Sequence, residues 1–322
     1  MKIKGLFMLA SIVAISFTAC EKDEKDPPAE QPAPTPVDTT GNGGGGGNEP
    51  PIDFMASKDS TDRNVYVEIY TGVRDAMWPQ TNDQLNSIDG AVEDLAGAGR
   101  FIIGVIHQGQ HSIDNPQYKT DALYRTDFSD PLAKAAYATT DANQISPYSA
   151  GSINRIKSGQ GVVFAPANGK PAATVMSVSY WQTIARDVLD MYSSVNIGAA
   201  ASITNNEIKV DVDLYFTGNE PDDTYIHVAL LQDGLLSNQS PGLTDYSHDH
   251  VLRDMITDGL NGDPITETTT PGTWLRRNYT YTIPSDYNGP RGGAIVKKDL
   301  KVVVYVTEKP SGQIITAKEI LL

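Results

Sequence analysis

The 322-residue chain has a single cysteine, Cys20. One thiol excludes an intramolecular disulfide, a cysteine-rich metal knuckle and a Cys-x-x-Cys redox pair. Basic residues are also few, since 25 Lys and Arg stand against 40 Asp and Glu, and the formal net charge is −15. This balance argues against nucleic acid as a partner, because a surface that follows phosphates needs clustered Lys and Arg. The motifs G-x-S-x-G, S-x-x-K and H-E-x-x-H are absent as well.

The N-terminal sequence predicts a signal peptide over residues 1–19. Two lysines precede an apolar run at residues 6–17, which is too short to cross roughly 30 Å of hydrocarbon comfortably. The run ends in Phe-Thr-Ala followed by Cys20, and small residues directly before a cysteine resemble the bacterial lipoprotein box. That resemblance implies that Cys20 becomes the lipidated N-terminus, with palmitate among its acyl chains. The alternative is an ordinary secretory peptide cut near Ala19, which would leave a free cysteine.

The composition of residues 20–56 predicts a lipidated N-terminus followed by a disordered tether. They contain an acidic cluster, then a proline-rich run and then a glycine-rich run, and this composition offers little apolar surface to bury. Acidic residues directly after the lipidated cysteine resemble the signal that exports lipoproteins of Bacteroidota to the cell surface. A solvated acidic spacer is the alternative. No later segment has eighteen consecutive apolar residues, so the lipid is the predicted membrane anchor.

Residues 57–194 predict an α/β domain. An alternating strand at 63–70 is followed by a helix that begins near Pro79, and an almost wholly apolar strand follows at 101–106. This order makes a βαβ unit. The later segments are predicted to form a short helix at 132–137, a proline loop at 145–147, short strands at 151–156 and 161–164, and a helix at 180–192. Together with the βαβ unit, these segments predict a thioredoxin-like fold. The apolar face of the first helix is predicted to carry Leu85, Ile88, Val92 and Leu95.

Residues 195–322 predict an all-β domain. Apolar residues alternate from Ile208 to Phe216, while Lys209, Asp211, Asp213 and Tyr215 point to a wet face. Turn signals separate further strands at 225–231, 278–283, 300–306 and 313–320. Six or seven strands in this length predict an antiparallel immunoglobulin-like sandwich. The predicted fold is therefore an α/β thioredoxin-like domain followed by an all-β immunoglobulin-like sandwich.

Two segments carry a family resemblance. The run N-V-Y-V-E-I-Y-T-G-V-R-D-A-M-W-P at residues 64–79 and the run D-Y-S-H-D-H-V-L-R-D-M at residues 245–255 resemble a family of Bacteroidota outer-membrane lipoproteins. That family is typified by a twenty-eight-kilodalton protein described as an adhesin. Its members commonly carry Thr-Gly and then Cys-x-x-Cys-Pro at the start of the helix. The resemblance extends over scattered blocks in both predicted domains.

The resemblance implies a scaffold without redox chemistry. Aligned on Thr-Gly and Pro79, the two cysteine positions of the family fall on Asp75 and Trp78. A cysteine at the first position works as a thiolate stabilised by the helix N-terminus, whereas an aspartate there accepts N–H bonds and caps the helix. Pro147 falls where the fold places a cis-proline that faces this loop.

Trp78, Pro147, Tyr148 and His107 form a candidate ligand pocket. If the predicted fold brings them together, the aromatic rings would stack on a peptide or a sugar. The alternative is that an aromatic side chain beside a helix start packs against its own domain.

His248 and His250 form a candidate metal pair. Residues two apart on a strand project from the same face, and Asp245 or His227 would supply a third ligand. Ordinary hydrogen-bonded histidines are the alternative. We expect no cofactor. The purpose of the surrounding segment, from Tyr246 through His248 and His250 to Arg253, does not follow from its sequence.

These observations favour a non-catalytic, lipid-anchored and surface-exposed envelope protein of the outer membrane. Its partners would be the membrane, through the lipid, and an envelope protein, a peptide or a glycan, in an adhesin-like role. A divergent thioredoxin-like protein with chaperone-like activity is the alternative. A metal-dependent hydrolase that uses His107, Asp75 or the histidine pair is ranked last.

Overall fold

The chain folds mostly as β-sheet, in a computed structural model that describes residues 50–107, 149–156, 162–163, 174–175, 180–220, 223–258, 261–283, 295–309 and 311–322. The described residues contain two α-helices, α1 (Trp78–Ala96) and α2 (Trp181–Leu189). Their strands are, in chain order, β1 (Val65–Thr71), β2 (Phe101–His107), β3 (Ala150–Ile153), β4 (Val162–Val163), β5 (Thr174–Val175), β6 (Val195–Thr204), β7 (Glu207–Phe216), β8 (Thr224–Gln232), β9 (Leu235–Gln239), β10 (Leu243–His248), β11 (Val251–Met255), β12 (Asp263–Ile265), β13 (Trp274–Thr282), β14 (Leu300–Glu308) and β15 (Ile314–Leu321).

Several sequence predictions fall outside these residues. They concern Cys20, Pro147, Tyr148 and the short helix at residues 132–137. Neither α1 nor α2 is long and apolar enough to cross a membrane.

A mixed sheet of eight strands organises the described residues. Seven strands follow the order β15-β14-β8-β11-β2-β1-β3, and β12 also pairs with β8. The pairs β1–β2 and β2–β11 are parallel, and the other pairs in this sheet are antiparallel. Strands from both predicted domains thus lie in one sheet, which runs without a break across the predicted boundary at residue 195.

The predicted βαβ unit is confirmed. β1 and β2 pair in parallel from Val65 opposite Phe101 to Thr71 opposite His107, and α1 connects them. Pro79 lies in the first turn of α1, where its missing N–H costs no helical hydrogen bond. Gly97 caps the C-terminus of α1 with a positive φ of 92°.

The apolar face of α1 is narrower than predicted. Leu85, Ile88 and Val92 are buried against β1, β2 and α2. Leu95, which was predicted on the same face, is 64% exposed. It lies near the end of the helix, where Ala96 packs partly against this core instead.

The eight-stranded sheet curls until β15 approaches β1. Asn64 Nδ2 donates to the carbonyl of Ala317 at 2.8 Å, and Arg63 Nη2 donates to that of Ile314 at 2.6 Å. Asn154, which follows β3, bonds to both strands: its Oδ1 accepts the N–H of Tyr66 at 2.8 Å, and its carbonyl accepts that of Ile314 at 2.8 Å. These bonds join strands that lie far apart in the order of the sheet.

The inside of the curl contains a buried ion pair. Arg155 donates two hydrogen bonds to the carboxylate of Glu68, at 2.7 and 2.6 Å. Tyr305 lies beside this pair and stacks on His227, with ring centroids 4.5 Å apart. Burial, and then the positive charges of Arg155 and Lys309, hold the pKa of His227 well below its usual value.

A second sheet of three strands, ordered β13-β7-β6, packs over part of the first. The predicted alternation of β7 is confirmed, because Ile208, Val210, Val212, Leu214 and Phe216 are all buried in the core between the two sheets. The same core receives apolar side chains from β8 and β14. The pattern therefore predicted which face of β7 is apolar.

Candidate functional site at the loop after the first strand

Asp75 was predicted at a degenerate redox-loop position, and its carboxylate accepts three hydrogen bonds from the chain. The residue is 2% exposed. Its Oδ2 accepts the hydroxyl of Thr71 at 2.9 Å and also that of Ser149, while Oδ1 accepts the N–H of Met77 at 3.0 Å. Thr71 is the last residue of β1, and Ser149 immediately precedes β3. The carboxylate thus ties the loop to both strands.

The predicted capping role of Asp75 is refined by this geometry. α1 begins at Trp78, and Met77 is the residue at its N-cap. Asp75 accepts the N–H of Met77, so the carboxylate fixes the turn that leads into the helix. The carboxylate of Asp75 accepts three hydrogen bonds from the chain, and unlike a cysteine thiolate it cannot exchange disulfides. We therefore interpret these three hydrogen bonds as structural.

The prediction that the ring of Trp78 stacks on a ligand is wrong. The side chain is 1% exposed and packs in the apolar core formed by α1, α2, β1 and β2. A ring with both faces covered by its own chain has no surface on which to stack a ligand. His107 is also buried, at 2% exposed. The other two residues of the predicted pocket, Pro147 and Tyr148, lie outside the described residues.

The β9–β10 hairpin covers the loop. Gln239, at the end of β9, is fully buried and donates from Nε2 to the carbonyl of Asp75 at 2.7 Å. The N–H of Ser240 donates to the carbonyl of Val73 at 2.8 Å. Val73 in turn packs against Leu235 on β9 and Val251 on β11. Nothing in the sequence around Gln239 signals this role, because the carbonyl that it bonds to on the loop lies 164 residues earlier.

A cluster of aromatic rings lies at the same end of the sheet. His107 is the last residue of β2, and its ring lies 5.1 Å from that of His248, edge to face. His248 in turn lies 4.9 Å from Tyr246. The Tyr246 hydroxyl accepts a hydrogen bond of 3.3 Å from Asn82 on α1. The hairpin is therefore packed against both β2 and α1.

The prediction that His248 and His250 share one face is wrong. β10 ends at His248, β11 begins at Val251, and His250 between them has a φ of +59°. This left-handed residue turns the chain, so the alternation of a strand does not apply across it. The ring of His248 faces His107, whereas Nδ1 of His250 lies 2.6 Å from Nζ of Lys301. Across the described ranges, no three His, Cys, Asp or Glu side chains are grouped as metal ligands would be.

The segment from Tyr246 to Arg253 joins the two halves of the chain. The carbonyl of His250 accepts the N–H of Val105 on β2 at 2.8 Å, and Val251 pairs with Val105. Arg253 is 2% exposed and donates to Gln232 Oε1 on β8 at 2.9 Å. This segment thus has a structural purpose that its sequence did not reveal: it inserts β11 between β2 and β8.

Several charged side chains lie close to His250. The side chain of Lys301 is 3% exposed, and its Nζ lies 2.9 Å from Asp233 Oδ2 and 3.5 Å from Glu319 Oε2. Burial and the neighbouring Lys301 ammonium lower the pKa of His250 to about 4. Burial and the nearby carboxylates of Glu93 and Glu319 raise the pKa of Asp89, on α1, to about 6.

A separate depression of about 410 Å³ lies at the β6–β7 turn. Polar side chains of residues 202–209 and Thr282 line it. None of the site residues predicted from the sequence contributes to its lining.

Comparison with known proteins identifies the family. The model of the family described as "Outer membrane protein Omp28" matches residues 138–317, which is more than half of the chain. The chain belongs to the Omp28 family. The predicted resemblance to this outer-membrane family is confirmed. No curated protein matches the chain.

Two solved structures are similar to this Omp28-family chain. HBP35 of Porphyromonas gingivalis covers 81% of this chain and 75% of its own, with 13% identity and a TM-score of 0.59. At that identity, the likeness concerns the fold alone. A domain of the outer membrane lipoprotein Omp28 from Porphyromonas gingivalis covers 40% of this chain and 88% of its own, with 21% identity and a TM-score of 0.30.

We expect Asp75→Ala to lower the free energy of unfolding by about 1–3 kcal/mol, because two buried hydroxyls and one partly buried N–H lose their acceptor. Asp75→Asn keeps one acceptor oxygen and should lose less. Urea denaturation of the two variants measures the difference. Asp94→Ala, at an exposed carboxylate of α1, the helix that follows the loop, is the control and should change stability by no more than about 0.5 kcal/mol. Equal losses for Asp75→Ala and Asp94→Ala would contradict a structural role for Asp75.

We expect His250 to make the fold sensitive to acid. The folded state keeps the imidazole neutral down to about pH 4, whereas the unfolded chain accepts the proton near pH 6.5. Stability is therefore lost as the pH falls from about 6.5 to about 4, by on the order of 2–3 kcal/mol. His250→Asn tolerates the positive φ and removes this titration.

Unfolding of wild type and His250→Asn, measured at several pH values, tests the expectation. The raised pKa of Asp89 acts in the opposite direction and is common to both proteins, so it cancels in their difference. If the difference in stability between the two proteins stays constant from pH 7 to pH 4, the assignment to His250 is wrong.

Proposed function

We propose that this Omp28-family chain is a lipid-anchored, surface-exposed envelope protein that acts as a non-catalytic, adhesin-like binding module. It would combine a thioredoxin-like unit without its cysteines and an immunoglobulin-like sandwich, joined through one continuous sheet. The ligand class would be a protein, a peptide or a glycan of the envelope or its surroundings.

The topology supports both parts of this proposal. β1 lies between a parallel β2 and an antiparallel β3, and a helix follows β1, as in a thioredoxin-like unit. The sheet of β6, β7 and β13 packs face to face on β8 and β14 over an apolar core, as in a β-sandwich.

The main support for the proposal is that the chain's own groups close the loop after β1. Asp75 is buried, its carboxylate accepts three hydrogen bonds from the chain, and Gln239 of the β9–β10 hairpin bonds to its carbonyl. An active-site group must be within hydrogen-bonding reach of its substrate. Here the chain itself occupies that reach, which favours a scaffold over an enzyme.

The lipid anchor rests on Cys20 and the signal peptide. We expect wild-type protein to fractionate with the outer membrane and to be cut by protease added to intact cells. We expect Cys20→Ser to leave the membrane fraction, because one thiol carries the proposed lipid and no other anchor is proposed. Thr18→Ser, which keeps a small residue in the box, is the control and should behave as wild type.

Each part of the anchoring proposal has its own contradicting outcome. Cys20→Ser that stays with the membranes would contradict lipid anchoring. Wild-type protein that resists protease on intact cells, yet is cut after the cells are broken, would contradict surface display.

Binding is tested with purified Cys20→Ser protein that begins at residue 20, on glycan and peptide arrays. We expect saturable binding that unlabelled protein competes away, and insulin reduction no faster than in buffer with dithiothreitol alone. The same protein should leave the aggregation of a heated client enzyme unchanged. Suppression of that aggregation at equimolar protein, without array binding, would favour the chaperone-like alternative.

A further inference from the structure

Residues 53–57, which are here called the strap, lie across the outer face of the three-stranded sheet. This face of β6, β7 and β13 points away from the apolar core. The strap falls at the boundary that the sequence placed between the tether and the first domain, at residue 57. The described part of the chain thus shows that the last residues assigned to the tether are packed against the fold.

The strap sits on two rows of side chains that the strand register aligns. One row crosses the three strands through Gly198, Asp213 and Arg276. The next row on the same face crosses them through Asn196, Tyr215 and Trp274. These six residues are here called the cradle.

The first row binds the strap through polar groups. The N–H of Met55 donates to Asp213 Oδ2 at 2.7 Å. Arg276 donates to both carboxylate oxygens of Asp213, at 2.7 and 3.0 Å, and its Nη1 lies 3.3 Å from Oδ2 of Asp53. Asp213 is fully buried, whereas Asp53 is 71% exposed. The main-chain bond to Asp213 therefore contributes more than the surface ion pair.

The second row binds the strap through aromatic rings and an amide. The ring of Phe54 lies 5.6 Å from that of Trp274 and 6.4 Å from that of Tyr215, in both cases edge to face. Nδ2 of Asn196 donates to the carbonyl of Ser57 at 2.9 Å. The two rows thus hold the strap by its main chain and by one aromatic side chain.

Gly198 shows that the sheet is shaped for a main chain at this place. A Cβ atom built on Gly198 would lie 2.3 Å from the N of Ala56 and 2.3 Å from the carbonyl carbon of Met55. Any larger residue would push the strap off the sheet. Asp213, which bonds to the strap and to Arg276, is fully buried, whereas Lys209 and Asp211 on the same face of β7 are exposed.

We infer that the outer face of the three-stranded sheet is a peptide-binding surface, and that the strap is its resident ligand. The surface fits an extended peptide that offers a main-chain N–H to Asp213, an aromatic ring to Trp274 and Tyr215, and a carboxylate to Arg276. The sequence Asp-Phe-Met at the start of the strap meets all three requirements. While the strap is bound, the tether leaves the fold at residue 53, and release would let residues 53 to 61 extend to at most about 30 Å.

Binding within one chain needs only modest intrinsic affinity. A short connection gives the strap an effective concentration on the order of millimolar, so a dissociation constant of about 0.1 mM already leaves it about nine-tenths bound. The same surface becomes available to a second peptide only when the strap is displaced. A free peptide should therefore bind to a chain whose own strap is weakened, and hardly at all to the wild type.

The experiment uses the Cys20→Ser chain that begins at residue 20 and a fluorescent peptide spanning residues 50–58. Phe54→Ala combined with Met55→Pro removes the ring and the N–H donor, and should free the strap. We expect fluorescence anisotropy to show peptide binding to this release variant at least tenfold tighter than to wild type. Ile52→Ala, at a fully exposed side chain beside the strap, is the control and should resemble wild type.

Two cradle variants in the release background show where the peptide binds. Gly198→Val blocks the close approach of the main chain, and Trp274→Ala removes one aromatic wall without adding bulk. We expect either change to abolish the gain in peptide binding. Trp274→Ala provides this test if Gly198→Val no longer unfolds cooperatively.

Limited proteolysis reports the strap itself. We expect cleavage within residues 53–57 to be at least tenfold faster in the release variant than in wild type. A released strap without peptide binding would overturn the inference, and so would peptide binding that both cradle variants leave intact. A strap cut as fast in wild type as in the release variant would show that it is not a bound ligand.

Discussion

A single parallel pairing, between Val105 on β2 and Val251 on β11, holds the two halves of the chain in one sheet. The bond from the Val105 N–H to the His250 carbonyl, at 2.8 Å, begins this pairing. Without it, β2 would be an edge strand with a row of unpaired backbone groups. Because β11 also pairs with β8, the hydrogen-bond ladder continues into the C-terminal strands. The positive φ of His250 turns the chain from the hairpin into this strand.

The same junction decides what the loop after β1 is able to do. The β9–β10 hairpin directly precedes β11, so the pairing of β11 with β2 brings the hairpin over the loop. Gln239 and Ser240 then bond to the carbonyls of Asp75 and Val73. With its buried carboxylate bonded within the chain and the hairpin above it, the loop forms a packing interface. This agrees with membership of an outer-membrane family and with a binding role.

Local pattern was enough to predict individual elements. The spacing of Leu85, Ile88 and Val92 predicted the buried face of α1, and the alternation of β7 predicted its core. Both depend on periodicity along a few turns or residues. The same reasoning failed for His248 and His250, because one left-handed residue breaks the alternation of a strand. It also failed for Trp78, since a helix N-terminus looks alike in sequence whether a ligand or the chain's own core covers it.

The sequence alone determined what this protein lacks and how its strands and helices are patterned, because composition and periodicity are properties of the chain itself. The single Cys20 and the apolar faces of α1 and β7 follow from that level. Only the tertiary structure decided which surfaces are covered. The fusion of both halves into one sheet, the closed loop at Asp75 and the strap on Asp213 each join residues far apart in the chain. Such contacts depend on register and packing, which no local pattern encodes.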